Sequence, residues 1–139
     1  MKENIVSDIS QFPDLGPRLT HQVIQAAIEV HKYFGPGLLE SIYEEALAVE
    51  MKSMGLNFER QKPIPVAYKG LKIDIAFRAD FIVKNEVILE LKAVEKILPI
   101  HEAQILSYMK LSSIKLGLIM NFNSVLMKDG IKRMALSAK

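Results

Sequence analysis

The spacing of apolar positions changes along the chain, and the changes divide it into elements. Between residues 19 and 34 they recur at helical spacing, as Leu19, Val23, Ala27, Val30 and Phe34, which predicts a helix over 19–34. Gly35-Pro36-Gly37 ends it, since proline lacks the amide a helix needs and glycine tolerates the backbone of a helix end. A second helical stretch covers 38–54 and is closed by Gly55. The period then shortens to two. Strands are predicted over 63–68, 73–83 and 87–94, with turns at Lys69-Gly70 and Lys84-Asn85-Glu86. The third is apolar enough to be central in a sheet. Pro99 suits the first turn of a helix over 99–112, and the apolar run Leu116 to Met120 predicts a strand over 115–121. Residues 125–136 contain the turn signal Asp129-Gly130 and read as either a short strand or a helix.

The order is a helix followed by α-β-β-β-α-β. Three strands joined by short turns should form an antiparallel meander, and the helix after them permits a crossover to a parallel neighbour. The expected fold is α/β of the α+β kind, a mixed sheet flanked by helices with an extra N-terminal helix. At 139 residues it fills one domain, placed over 18–139 behind an arm over 1–17. The absence of cysteine excludes a disulfide framework, a cysteine zinc site, an iron–sulfur cluster and a cysteine nucleophile, and suits the reducing cytoplasm. Lys2, Glu3 and Asp8 make the N-terminus unlike a signal peptide, and no apolar run is long enough to span a membrane. With 18 basic and 16 acidic residues the net charge is +2, too weak for a nucleic-acid coat but compatible with a local basic patch.

The charges fall in a pattern. Alternation along 73–83 puts Ile73, Ile75, Phe77, Ala79, Phe81 and Val83 on one face, with Asp80 on the other. Along 87–94, Glu90 and Lys92 share a face, and the turn at 84–86 can bring Asp80 beside Glu90. Neighbouring carboxylates repel, and Glu90 between Leu89 and Leu91 is costly to bury alone. A divalent cation that prefers oxygen ligands, Mg²⁺ or Mn²⁺, answers both problems. Lys92 would neutralise the site or hold a water; the plainer alternative is a solvated Glu90–Lys92 pair. On 38–54, Glu40 shares a stripe with Tyr43, Glu44, Leu47 and Met51, either as a third carboxylate or as a partner of the helix dipole. On 99–112, His101, Gln104 and Tyr108 share one side, facing the carboxylates or bonded internally. His101 reads as structural or substrate-facing rather than as a ligand.

Asp80 followed one strand later by Glu90-Leu91-Lys92 resembles the PD-(D/E)XK nuclease signature, and the element order is similar to that superfamily's restriction-endonuclease-like αβββαβ core. Glu40 matches its first-helix acidic position, and Gln104 with Tyr108 resembles the Q-x-x-x-Y motif of its exonuclease branch. A closer resemblance is to the small GxxExxY proteins, a branch of that superfamily. Gly37, Glu40 and Tyr43 supply the naming motif, accompanied by Val30-His31, Arg78-Ala79-Asp80, Glu90 to Val94, Ile100 to Gln104 and Asn121-Phe122-Asn123. Ala79 stands where the superfamily name has proline, at a loose position.

The resemblance implies metal-dependent hydrolysis of phosphodiester bonds in nucleic acid, with DNA expected, in repair or genome defence. Its catalytic set would be Glu40, Asp80, Glu90 and Lys92. Asp80, Glu90 and the backbone carbonyl of Leu91 would hold Mg²⁺ or Mn²⁺, with Glu40 acting through water, and Lys92 would orient or deprotonate the attacking water. Gln104, Tyr108 and His101 would position the substrate. Lys96, Lys128, Lys132 and Arg133 are candidates for phosphate contacts, although each taken singly reads better as a solvated surface charge. A homodimer would bring two sites to two strands. The alternative is a non-catalytic nucleic-acid- or protein-binding module that retains the fold.

Overall fold

The computed structural model describes the backbone of residues 3–8 and 18–138, and side chains within 18–74 and 77–136. Its helices are α1 (Arg18–Phe34), α2 (Glu40–Ser53) and α3 (Pro99–Ser112). Its strands are β1 (Glu3–Asp8), β2 (Phe58–Tyr68), β3 (Leu71–Val83), β4 (Val87–Lys92), β5 (Leu116–Asn121) and β6 (Ile131–Ala138), with a 3-10 turn at Met127–Gly130. The strands form one sheet in the order β1-β6-β5-β4-β3-β2. β4 and β5 are parallel, joined through α3, and every other neighbouring pair is antiparallel. This is the expected mixed sheet with helices on both sides. Among the described residues no helix is long and apolar enough to cross a membrane.

The ambiguous stretch 125–136 contains both the turn and β6. β2 starts at Phe58 rather than residue 63, because Glu59, Arg60, Gln61 and Lys62 lack the apolar alternation that marks a strand. An edge strand can do without it, since β2 has a neighbour on one side only. Within the predicted arm, Glu3–Asp8 pairs with β6, and residues 9–17 lie outside the described residues.

The sheet separates two apolar clusters. On one face Val23, Ala27, Val30, Tyr43, Leu47 and Met51 of α1 and α2 pack on Phe81, Leu89, Leu91, Leu118 and Met120. On the other, Ile105, Tyr108 and Met109 of α3 pack on Ile82, Ile88, Ile119, Met134 and Leu136. β4 is buried on both faces from Val87 to Leu91, as its apolar run predicts.

The uniform apolar face predicted along 73–83 does not hold. Phe81 and Val83 join the α1/α2 cluster, whereas Phe77 and Ala79 pack on the α3 side. The neighbouring strands are irregular at the same place. Gln61 adopts a left-handed backbone (φ 48°) between the pairs Arg60–Phe81 and Lys62–Ala79, opposite Asp80, and the β3–β4 ladder ends at Phe81 opposite Leu89. β3 exchanges its faces at Asp80.

Candidate active site

Where the β3–β4 ladder ends, side chains take over its hydrogen bonds. The Leu91 N–H donates to Asp80 Oδ2 at 2.8 Å, and the Asp80 N–H donates to Glu90 Oε2 at 3.2 Å. Gln61 Nε2 donates to Asp80 Oδ1 at 3.3 Å and to both oxygens of Glu44, at 3.1 and 3.2 Å. Arg60 pairs with the same Glu44 at 3.0 Å and with Glu45 at 2.8 Å. The left-handed turn at Gln61 thus aims its amide between α2 and β3 and fixes the Asp80 carboxylate.

Glu90 is 6% exposed. Burial, and then the charge of Asp80, push its carboxyl up to about 8, against the opposing pull of the Asp80 N–H and Lys92. Burial also raises Asp80, with repulsion from Glu44, while the Leu91 N–H, Gln61 and Lys92 oppose the shift. Glu40 is the first residue of α2 and stands exposed on the lip of the site. Its carboxyl is raised by partial desolvation, lowered by Lys92, and raised again by Asp80. Half-buried Lys92 therefore acts on all three acids. Tyr108 faces the same group: burial, then the charges of Glu90 and Asp80, raise its phenol. Its ring stacks on Phe77 with centroids 4.0 Å apart.

Two locks hold this end of the sheet. Gly35 donates its N–H to His31 O at 2.7 Å, ending α1. The buried Tyr43 hydroxyl donates to Gly35 O at 2.6 Å and accepts the Leu38 N–H at 3.1 Å, and its ring stacks on Phe122 at 4.7 Å. Gly37 (φ 103°) takes a backbone that side chains disfavour. In Gly37, Glu40 and Tyr43 the glycine turns the loop, the tyrosine ties it to the core, and the glutamate is delivered to the site. In the second lock, buried Asn121 accepts the N–H groups of Val94 (3.1 Å) and Asn123 (3.2 Å) and donates to Val94 O (2.9 Å). Phe122 N–H donates to Lys92 O at 2.9 Å, and His31 Nε2 lies 2.8 Å from Ser124 O, so it carries a proton there.

Asp80, Glu90, Lys92, Glu40 and Tyr108 are thus brought together, and the Leu91 N–H belongs to the same network. Gln104 lies exposed one turn before Tyr108 on α3. His101 Nδ1 accepts the Leu98 N–H at 3.0 Å and so caps α3. Lys96 and Lys128 are exposed. Lys132 pairs with Glu102 at 3.6 Å, and Arg133, the next residue of β6, points to the opposite face of the sheet. Gln61 has no place in a sequence reading, because neither its left-handed backbone nor its reach to Asp80 leaves a local signal.

A model of the PD-(D/E)XK nuclease superfamily matches residues 17–134. The chain belongs to this superfamily. No curated protein and no solved structure matches it. Membership makes its function nuclease-like in kind and its substrate a nucleic acid. PD-(D/E)XK nucleases generally use Mg²⁺ or Mn²⁺. The donor set here fits such an ion: Asp80 and Glu90 offer hard oxygens, and among the described residues no lysine or arginine pairs with either. Among the described residues no three carboxylate or imidazole groups converge into a ready-made site. The carboxyl pair stands where β3 and β4 part, with Glu40 at its edge.

Proposed function

We infer that the protein is a metal-dependent hydrolase of phosphodiester bonds in DNA, of the GxxExxY type. One observation carries the reading: Asp80 and the almost fully buried Glu90 share a hydrogen-bond network, and their mutual repulsion helps raise Glu90 to about 8. Such a pair is unfavourable unless protonated or bound to a cation. Asp80, Glu90 and the Leu91 carbonyl would hold Mg²⁺ or Mn²⁺, with Glu40 acting through water. A bound divalent ion would supply a more acidic water and offset charge on the phosphate.

The chain's own residues do the rest. Gln61 and the Leu91 N–H keep Asp80 oriented. Lys92, whose charge acts on Glu40, Asp80 and Glu90, orients the attacking water and steadies the negative charge that develops. Tyr108 and Gln104 present a phenol and an amide from one side of α3 and position the strand. The GxxExxY assignment is supported by the joint action of Gly37, Glu40 and Tyr43 in presenting one carboxylate.

The test is cleavage of single- and double-stranded DNA, with RNA in parallel, in Mg²⁺ or Mn²⁺. Asp80→Ala, Glu90→Ala and Lys92→Ala are each expected to lower the rate by at least about 100-fold. Activity that survives all three substitutions overturns the assigned site.

A further inference from the structure

We propose that the outer half of the β2–β3 hairpin is an arm that grips the nucleic-acid backbone away from the cleavage site. The inference rests on the nuclease reading and adds a binding surface to it.

β3 pairs with β4 only over Phe81–Val83, while its pairing with β2 continues to Tyr68 opposite Leu71. Beyond Asp80 the hairpin is therefore a two-stranded ribbon leaving the sheet. Its base is held by α3, through buried Ile64 and the stack of Phe77 on Tyr108. Its tip is bare: Tyr68 is 62% and Leu71 72% exposed. Lys69 and Lys72 are exposed beside them, and Lys69 Nζ lies 5.3 Å from the Tyr68 ring centroid. Large apolar side chains on an unsupported ribbon favour a partner.

Charge selects which partner. From residue 66 to residue 78 the ribbon carries Lys69, Lys72 and Arg78 against Asp74. Its net charge of +2 equals that of the whole chain, so the remainder is neutral. Cations that meet phosphates beside an aromatic and an aliphatic group that meet bases are what a phosphodiester chain accepts. A second copy of the protein is disfavoured at this edge, because exposed Pro63 and Pro65 remove two ladder donors from β2. The nine steps from Leu71 to Asp80 span roughly 30 Å at about 3.3 Å each, so the tip would sit about one duplex turn from the bond to be cut.

The experiment measures equilibrium binding of the full chain in EDTA, where metal-dependent cleavage is silent, across a salt series. The probes are a labelled DNA duplex, an RNA duplex of the same sequence and anionic vesicles. The variants are Lys69→Glu/Lys72→Glu and Tyr68→Ser/Leu71→Ser, whose side chains are exposed, with the exposed Lys52→Glu on α2 as control. Charge reversal is expected to weaken nucleic-acid binding at least about 10-fold and to reduce the slope of log K against log salt by about two. The apolar variant should weaken binding with little change in slope, and Lys52→Glu should do neither. The DNA and RNA arms decide which phosphodiester chain is held. Unchanged affinity in both tip variants overturns the arm, even where cleavage still depends on Asp80 and Glu90. If the wild-type chain binds neither nucleic acid, the arm and the nuclease reading both fall. Binding to vesicles alone, lost in the tip variants, replaces the arm with a lipid-contacting loop and overturns it.

Discussion

Glu90 is an acid held among Ile88, Leu89 and Leu91 with a second acid beside it, and its environment resists ionisation. Its folded-state pKa of about 8 lies above the usual 4.5, so the folded chain retains a proton that the unfolded chain releases in between. Its contribution to stability is therefore present at and below pH 4.5 and is lost as pH rises toward about 8. The raised Asp80 acts in the same direction. The metal-free protein should melt lower at pH 8.5 than at pH 5 for these groups' part. Glu90→Gln should flatten that dependence and raise stability at pH 8.5 by at least about 1 kcal/mol, roughly 3–5 °C. Paired thermal melts in EDTA check this, and an unchanged pH slope counts against the buried ionisable pair. Gln61 tests the other side of Asp80. Gln61→Ala removes the amide shared by Asp80 and Glu44, and should cost about 1–2 kcal/mol in denaturant titrations while raising the Mg²⁺ concentration needed for half-maximal cleavage.

At the scale of elements, the site depends on two connections. Tyr43 is part of α2 yet serves the loop before it: without its hydroxyl, Gly35 O and Leu38 N–H lose their partner. Tyr43→Phe keeps the ring on Phe122 and should cost about 1–2 kcal/mol, with faster amide exchange at Leu38 and slower cleavage through misplacement of Glu40. The second connection joins β5 to the turn before β6. A Cβ added at Gly130 would collide with the backbone carbonyl of Asn121 and crowd Ser124. Neither can yield cheaply, since Asn121 also ties down Val94. Gly130→Ala should therefore destabilise by at least about 2 kcal/mol, measured by chemical denaturation. Gly117→Ala is expected to be milder, because its nearest neighbours are the flexible ends of Met109 and Ile105.

For the whole molecule, the α-β-β-β-α-β order, the meander and the parallel β4–β5 pair could be read from the chain, because each follows from period and connection length. The grouping of Asp80, Glu90 and Lys92 was legible for the same reason, as strand parity and one short turn nearly determine it. The exchange of faces at Asp80 was not, since it falls where the backbone departs from regular strand geometry, opposite the left-handed Gln61 and past the end of the β3–β4 ladder. The early start of β2 was hidden by its charged residues, and His101 gave no sign that its ring would be engaged in capping α3. In each case the deciding interaction is non-local or backbone-based. The central claim is that this fold buries Asp80 and Glu90 together in order to hold a divalent cation. Calorimetric titration of the metal-free chain with Mn²⁺ at pH 7, in buffers of differing ionisation enthalpy, tests it most directly. Because Glu90 is largely protonated at that pH, the account predicts one ion per chain with release of about one proton, and loss of both in Glu90→Gln. Absence of binding, or binding that persists unchanged in Asp80→Ala and Glu90→Gln, would contradict it.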